Sequence, residues 1–258
     1  MARRFGPGHL ASDPVRFPRR YAQPPDREAT ALFSALFAYG TVKAMGAFQG
    51  EVLSALGPSP FRALASGDVP HKLPGYRFQT PEDVRRFLSS LGRVLAKHGS
   101  LEAAFGADGD PDARVEKFAL LLRREAGRHT PGLAHLLTLP SDGSACKRWR
   151  MFLRWVVRPD DGVDLGLWTC LTPSQLLIPV DTHVARIAFA LGLSRRKTPD
   201  GAFSRDVTRS LARFCPEDPT RYDFALAHMG ISRECRGRRV EEICGACSLR
   251  PHCAIGRR

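Results

Sequence analysis

Apolar side chains recur along this chain at intervals of three and four, and strict alternation of apolar with polar residues is nearly absent. Such spacing puts one face of a helix against a core, whereas alternation marks a half-buried strand. Residues 80–99 show the full grammar. Thr80 is an N-cap, Pro81 suits the first helical position, and Glu82 and Asp83 supply acids to the first turn. Val84, Phe87, Leu88, Leu91, Val94 and Leu95 then share a face, and Gly99 closes the helix. Comparable spacing predicts helices over 28–39, 43–56, 113–128, 147–157, 182–191, 204–214 and 222–229. The expected fold class is all-α. The organisation expected is a basic, proline-rich N-terminal arm (1–27), a helical domain (28–231) and a cysteine-bearing tail (232–258). No internal repeat or long low-complexity linker interrupts it.

The 258 residues include 43% hydrophobic side chains, enough for a real core. No run approaches the length of a membrane span, and the N-terminus has no apolar signal region, so a soluble, cytoplasmic and monomeric protein is expected. The 39 Lys and Arg outnumber 26 Asp and Glu, a formal charge of +13 that points towards a polyanion such as nucleic acid. Arg77 and Gln79, on the irregular connector 70–79, are candidate nucleic-acid contacts.

Four of the seven cysteines crowd into the tail as C-x8-C-x2-C-x5-C: Cys235, Cys244, Cys247 and Cys253. Several thiolates around a tight C-x2-C suit a tetrahedral zinc or an iron–sulfur cluster. Disulfides fit less well, because nothing marks the chain as secreted. The segment "VDTHVAR" places Asp181 at the mouth of a helix whose apolar face is Val184, Ile187, Ala188 and Leu191, where a carboxylate accepts backbone N–H bonds. Upstream, "LPSDGSACKRWRMFLRWVVR" sets Lys147 at a helix start, with Trp149, Phe152 and Trp155 on the buried side and Arg148, Arg150, Arg154 and Arg158 left to supply surface charge.

Two of these segments carry a resemblance. The cysteine tail resembles the [4Fe–4S] loop that ends the endonuclease III-like branch of the helix-hairpin-helix DNA glycosylases, with a longer first gap here. "VDTH" resembles the motif that holds the catalytic aspartate of that superfamily. The usual "LPGVGxK" hairpin is absent, and Lys147 lies further ahead of Asp181 than the corresponding lysine of endonuclease III-like enzymes. In that respect the chain looks like the archaeal 8-oxoguanine glycosylase type. "SACKRWRMFLRWVVRPDDGVDLGLW" is itself similar to a family of bacterial proteins, DUF2400, a remote branch of the same superfamily, and that similarity extends over most of residues 28–231.

The resemblance implies a two-lobed helical fold that binds double-stranded DNA and excises a damaged base, an oxidised purine by analogy, with abasic-site lyase activity. Lys147 would be the nucleophile and Asp181 its electrostatic partner. Asp223, Phe224 and His228 would border the base pocket. Trp168 would be either a stacking face for the extruded base or a core residue. Arg148, His183, Arg186 and Arg238 would join Arg77 and Gln79 in contacting DNA, and the cysteines would hold a [4Fe–4S] cluster, with zinc as the alternative. The rival reading is a non-catalytic protein of the same fold that senses damaged DNA.

Overall fold

The computed structural model describes residues 6–256. Residues 1–5 of the expected arm and 257–258 of the tail lie outside the described residues. Among the described residues the chain is all-α and contains no strand. Its helices are α1 (Pro24–Leu36), α2 (Val42–Leu56), α3 (Pro60–Ala65), α4 (Pro81–His98), α5 (Leu101–Phe105), α6 (Pro111–Glu125), α7 (Pro131–Leu136), α8 (Lys147–Val157), α9 (Thr182–Ala190), α10 (Gly201–Ala212), α11 (Asp223–Ile231) and α12 (Glu241–Cys244).

Where the apolar spacing was strong, the helices follow it. In α4 the Thr80 hydroxyl accepts from the Asp83 amide at 3.1 Å and the Asp83 carboxylate accepts from the Thr80 amide at 3.0 Å, a closed capping box. All six apolar residues of its inner face are buried, and Gly99, at φ +77, ends the helix in a conformation that costs glycine little.

The buried residues form two apolar cores. The first is built by α1–α8 and the segment reaching Leu176. The second is built by Val163, Ile178, Val180 and the inner faces of α9, α10 and α11, with tail residues Cys235, Cys247 and Leu249 packed on its edge. The 163–168 segment returns along the end of α8, where the Leu165 amide bonds the Trp155 carbonyl and the Leu167 and Trp168 amides bond the Val156 carbonyl. The last carbonyls of α8 are thereby satisfied without a conventional cap.

Residues 7–20 of the expected N-terminal arm pack against the helical body. They form three short 3-10 turns. Val15 and Phe17 are fully buried in the first core, Leu10 touches both cores, and Arg19 bonds the Val163 carbonyl at 3.0 Å and Asp160 at 2.6 Å. Prolines at 7, 14 and 18 start each turn, and the segment closes over the seam between the cores.

The arginines of α8 depart from expectation. Arg150 and Arg154 are buried rather than displayed, and Arg158 is nearly so. Arg154 bonds Asp164 through Nε and Nη2 at 3.0 and 2.9 Å and reaches Asp223 with Nη1. Arg158 bonds both Asp164 and Asp218, and Arg150 faces Asp112 at 3.5 Å. Carboxylates from distant segments draw these cations inside, since a buried charge is tolerated when paired and hydrogen-bonded. Burial opposes the charge on Arg154, but Asp164 and Asp223 together hold its pKa above the ordinary value.

Candidate functional site

Lys147 opens α8 in the first core, and Asp181 caps α9 in the second. The two side chains meet across the seam, with Nζ 3.5 Å from Oδ2. Asp181 divides its oxygens between two tasks. Oδ1 accepts from the amides of His183 and Val184 at 2.9 and 2.8 Å, the ordinary work of an N-cap, which leaves Oδ2 turned to the lysine. Lys147 is positioned from behind by Cys146, whose φ of +45 is a left-handed conformation rare outside glycine. Neither partner is sealed, since the Lys147 and Asp181 side chains retain 34% and 19% of their exposure.

Both line a cavity of about 700 Å³ between the cores. Its walls include Asp13, Tyr39, Met151, His183, Asp223 and Phe224. Asp223, Phe224 and His228, expected to border a base pocket, line this cavity. Phe224 and His228 pack with ring centroids 4.1 Å apart and planes tilted by 37°, and His228 Nε2 lies 3.6 Å from Asp13 Oδ2. Burial pushes the Asp223 carboxyl up to about 6 in spite of Arg154; the nearby Asp181 adds to the rise and Lys147 opposes it. Asp13, Met151 and Tyr39 were not singled out from the sequence, and Arg154 was expected at the surface rather than on this wall. Asp13–Pro14, a cap followed by proline, was the available signal for the first of them.

The other site residues scatter. Trp168 is absent from the cavity wall and belongs to the core: its indole N–H donates to Glu28 at 2.6 Å and its ring packs on Phe105 and Phe152. The same Glu28 carboxylate takes the Leu101 and Glu102 amides at the start of α5, so Trp168 completes a buried junction. Gln79 is buried, donating to the Gly132 carbonyl at 2.7 Å and accepting from Tyr39 Oη, which removes it from any DNA surface. Arg148 spends its guanidinium on the carbonyls of Leu36 (2.9 Å) and His135 while lying over the Tyr39 ring. Those bonds serve the carbonyls of α1 and α7 instead of a phosphate. Arg77, Arg186 and Arg238 are exposed. His183 lies on the cavity wall, its Nδ1 3.2 Å from Arg186.

Cys235, Cys244, Cys247 and Cys253 line one small cavity together. Burial raises the Cys235 thiol, with Cys253 and Cys247 close enough to add to the effect, and Cys253 Sγ accepts from the Gly256 amide at 3.2 Å. The donor set has the chemistry of a thiolate-bound metal site. Among the described residues, however, no group of three or more His, Cys, Asp or Glu is placed to hold a metal ion. No described helix is long and apolar enough to cross a membrane.

No curated protein and no solved structure matches the chain. A family described as a protein of unknown function, DUF2400, matches residues 13–232. That span contains both cores, the Lys147–Asp181 pair and the cavity wall from Asp13 to Ile231, and it stops short of the four tail cysteines. The chain belongs to the DUF2400 family.

Proposed function

We propose that this protein is a DNA glycosylase with abasic-site lyase activity, a remote relative of the helix-hairpin-helix glycosylases, and that it accepts a damaged base, by analogy an oxidised purine, in the cavity between its cores. The observation that carries the reading is the 3.5 Å approach of Lys147 Nζ to Asp181 Oδ2 at the edge of that cavity, from residues on different cores. Pairing an amine with a carboxylate answers the chemistry of the N-glycosidic bond. The uncharged amine attacks C1′, and the base departs with the electron pair of the broken bond while Asp181 balances the positive charge developing on the sugar. The new C–N bond loses its surplus protons to solvent or to the departing base as the sugar ring opens to a Schiff base. Loss of a C2′ proton then releases the 3′ phosphate.

In this reading the walls of Met151, Trp155 and Phe224 offer the extruded base apolar contact. Cys235, Cys244, Cys247 and Cys253 would hold a [4Fe–4S] cluster, or a zinc ion in its place. Its role is to fasten the tail so that the exposed Arg236, Arg238 and Arg239 face phosphates.

Borohydride trapping tests the reading. The protein, incubated with duplexes bearing an abasic site or an oxidised base, is expected to give a covalent adduct that is lost in Lys147→Gln. Base release that survives in Lys147→Gln and disappears in Asp181→Asn would make the enzyme monofunctional and overturn the nucleophile assignment. Tight binding to damaged duplex without an adduct on any substrate would point to a damage sensor. Visible absorption in anaerobically purified protein that vanishes in Cys244→Ala would separate an iron–sulfur cluster from zinc.

A further inference from the structure

Part of the cavity wall comes from the N-terminal segment, where Ser12, Asp13 and Pro14 line the space shared with Lys147, Asp181 and Phe224. That segment is firmly seated. Val15 and Phe17 are fully buried just after it, the Asp13 amide bonds the Leu10 carbonyl at 3.0 Å, and the Arg16 amide bonds the Asp13 carbonyl at 3.2 Å. At its far end Pro7 lies so close to Gly162 that a Cβ on the glycine would come within 2.6 Å of the proline ring. The Asp13 side chain is pinned as well, because Oδ1 accepts from the Val15 amide at 2.9 Å. Among the described residues Oδ2 has no donor within reach, since His228 Nε2 stands 3.6 Å away, longer than a hydrogen bond.

The other charged groups on the wall are engaged or face solvent. Lys147 faces Asp181, Asp181 caps α9, Asp164 and Asp223 take all three nitrogens of the Arg154 guanidinium, and Arg233 is exposed. Among the described residues no lysine or arginine pairs with Asp13, so its carboxylate is the acceptor that the cavity can offer to a guest. A carboxylate only accepts, and with two lone pairs on each oxygen it receives two parallel N–H donors as well as one. A base that meets it well must present donors side by side. Guanine does so, with N1–H next to the 2-amino group. Adenine and cytosine set one amino group beside a ring-nitrogen acceptor, and thymine sets its N3–H between two carbonyl oxygens that a carboxylate repels.

We propose that Asp13 determines the specificity of the cavity, its carboxylate receiving the N1–H and 2-amino donors of a guanine-derived base, so that the N-terminal segment is a built part of the base site. The inference rests on the reading of that cavity as a nucleobase site, and it narrows the guest from damaged bases at large to derivatives of guanine. A hydrogen bond from the 2-amino group to a carboxylate sets the expected effect, a contribution of roughly ten- to hundred-fold to affinity or rate.

The full-length wild type and Asp13→Asn are compared on two duplexes of one sequence, carrying 8-oxoguanine or 8-oxohypoxanthine, which differ only in the 2-amino group. Asparagine still caps the Val15 amide, so the segment keeps its seat, and a matching thermal melt checks this. Fluorescence anisotropy reads binding and borohydride trapping reads chemistry. The readout is the ratio between the duplexes, and comparing it between the two proteins cancels the difference in base pairing. That ratio is expected to move roughly ten-fold or more against 8-oxoguanine in Asp13→Asn. A ratio equal to that of wild type, including an equal loss on both duplexes, would overturn the assignment of Asp13. A wild type that binds the duplexes and gives neither adduct nor base release would defeat the glycosylase reading, while the anisotropy ratio still decides on Asp13. A wild type that binds neither duplex would overturn both.

Discussion

Replacing Arg154 by methionine preserves most of the side-chain volume and removes the cation that joins α8 to the second core. Two carboxylates are then stranded. Asp164, with no exposed side-chain surface, keeps only Arg158, and Asp223 loses its direct ion-pair partner. Breaking a buried ion pair from one side costs about 3–5 kcal/mol. For a chain of this size each kcal/mol shifts the unfolding midpoint by about 2–4 °C, so Arg154→Met is expected to melt roughly 6–20 °C below wild type. The loss should shrink below pH 6, because Asp223, already pushed up to about 6 by burial, escapes by taking a proton. Adding Asp164→Asn and Asp223→Asn should recover much of the deficit, since a buried network replaced as a whole costs far less than one left half-paired. Differential scanning calorimetry at pH 5 and pH 7.5 provides the measurement. A single variant that melts with wild type at both pH values would refute the account of α8 as an internally paired helix.

Asp223 also has a signature of its own. Its folded-state pKa is above the 3.8 of an ordinary aspartate, so the folded state binds the extra proton; its contribution is full below that ordinary value and is lost as pH rises through about 6. Relative to Asp223→Asn, wild-type stability is expected to fall between pH 4 and pH 7 by an amount on the order of 3 kcal/mol, and parallel stability curves for the two proteins would contradict it. Trp168→Phe should lower stability by about 1–3 kcal/mol through the vacated bond to Glu28, measured by denaturant titration, while leaving duplex binding unchanged. Thr80→Ala should cost about 1 kcal/mol by the same titration, because it opens the capping box of α4.

The long helices were legible because each carries its own signals. α4 announces itself through Thr80, Pro81, six inward apolar residues and Gly99. Helices α3, α5, α7 and α12 were missed, since elements of four to six residues are too short to display a period. The Lys147–Asp181 encounter was anticipated from the two helix starts and the resemblance, though its distance could come only from the fold. The Arg154 network was illegible for a different reason. On the sequence, an arginine at helical spacing reads as surface, and nothing local reveals that Asp164 and Asp223 will arrive from two separate segments to receive it. Gln79 shows the same blindness: its partners, Tyr39 and Gly132, lie on either side of it in the chain and far away.

Lys147 and Arg154 lie on one helix, two turns apart, so α8 both carries the lysine that meets Asp181 and bolts the cores together. An extra residue inserted between them would rotate one relative to the other by roughly 100°. Either the amine would then swing away from Asp181 or the guanidinium would leave its carboxylates. Natural variation in this family should therefore tolerate length changes in the 106–110 and 194–200 loops far more readily than within the eleven residues of α8, whose phase couples the Lys147–Asp181 approach to the cohesion of the two cores.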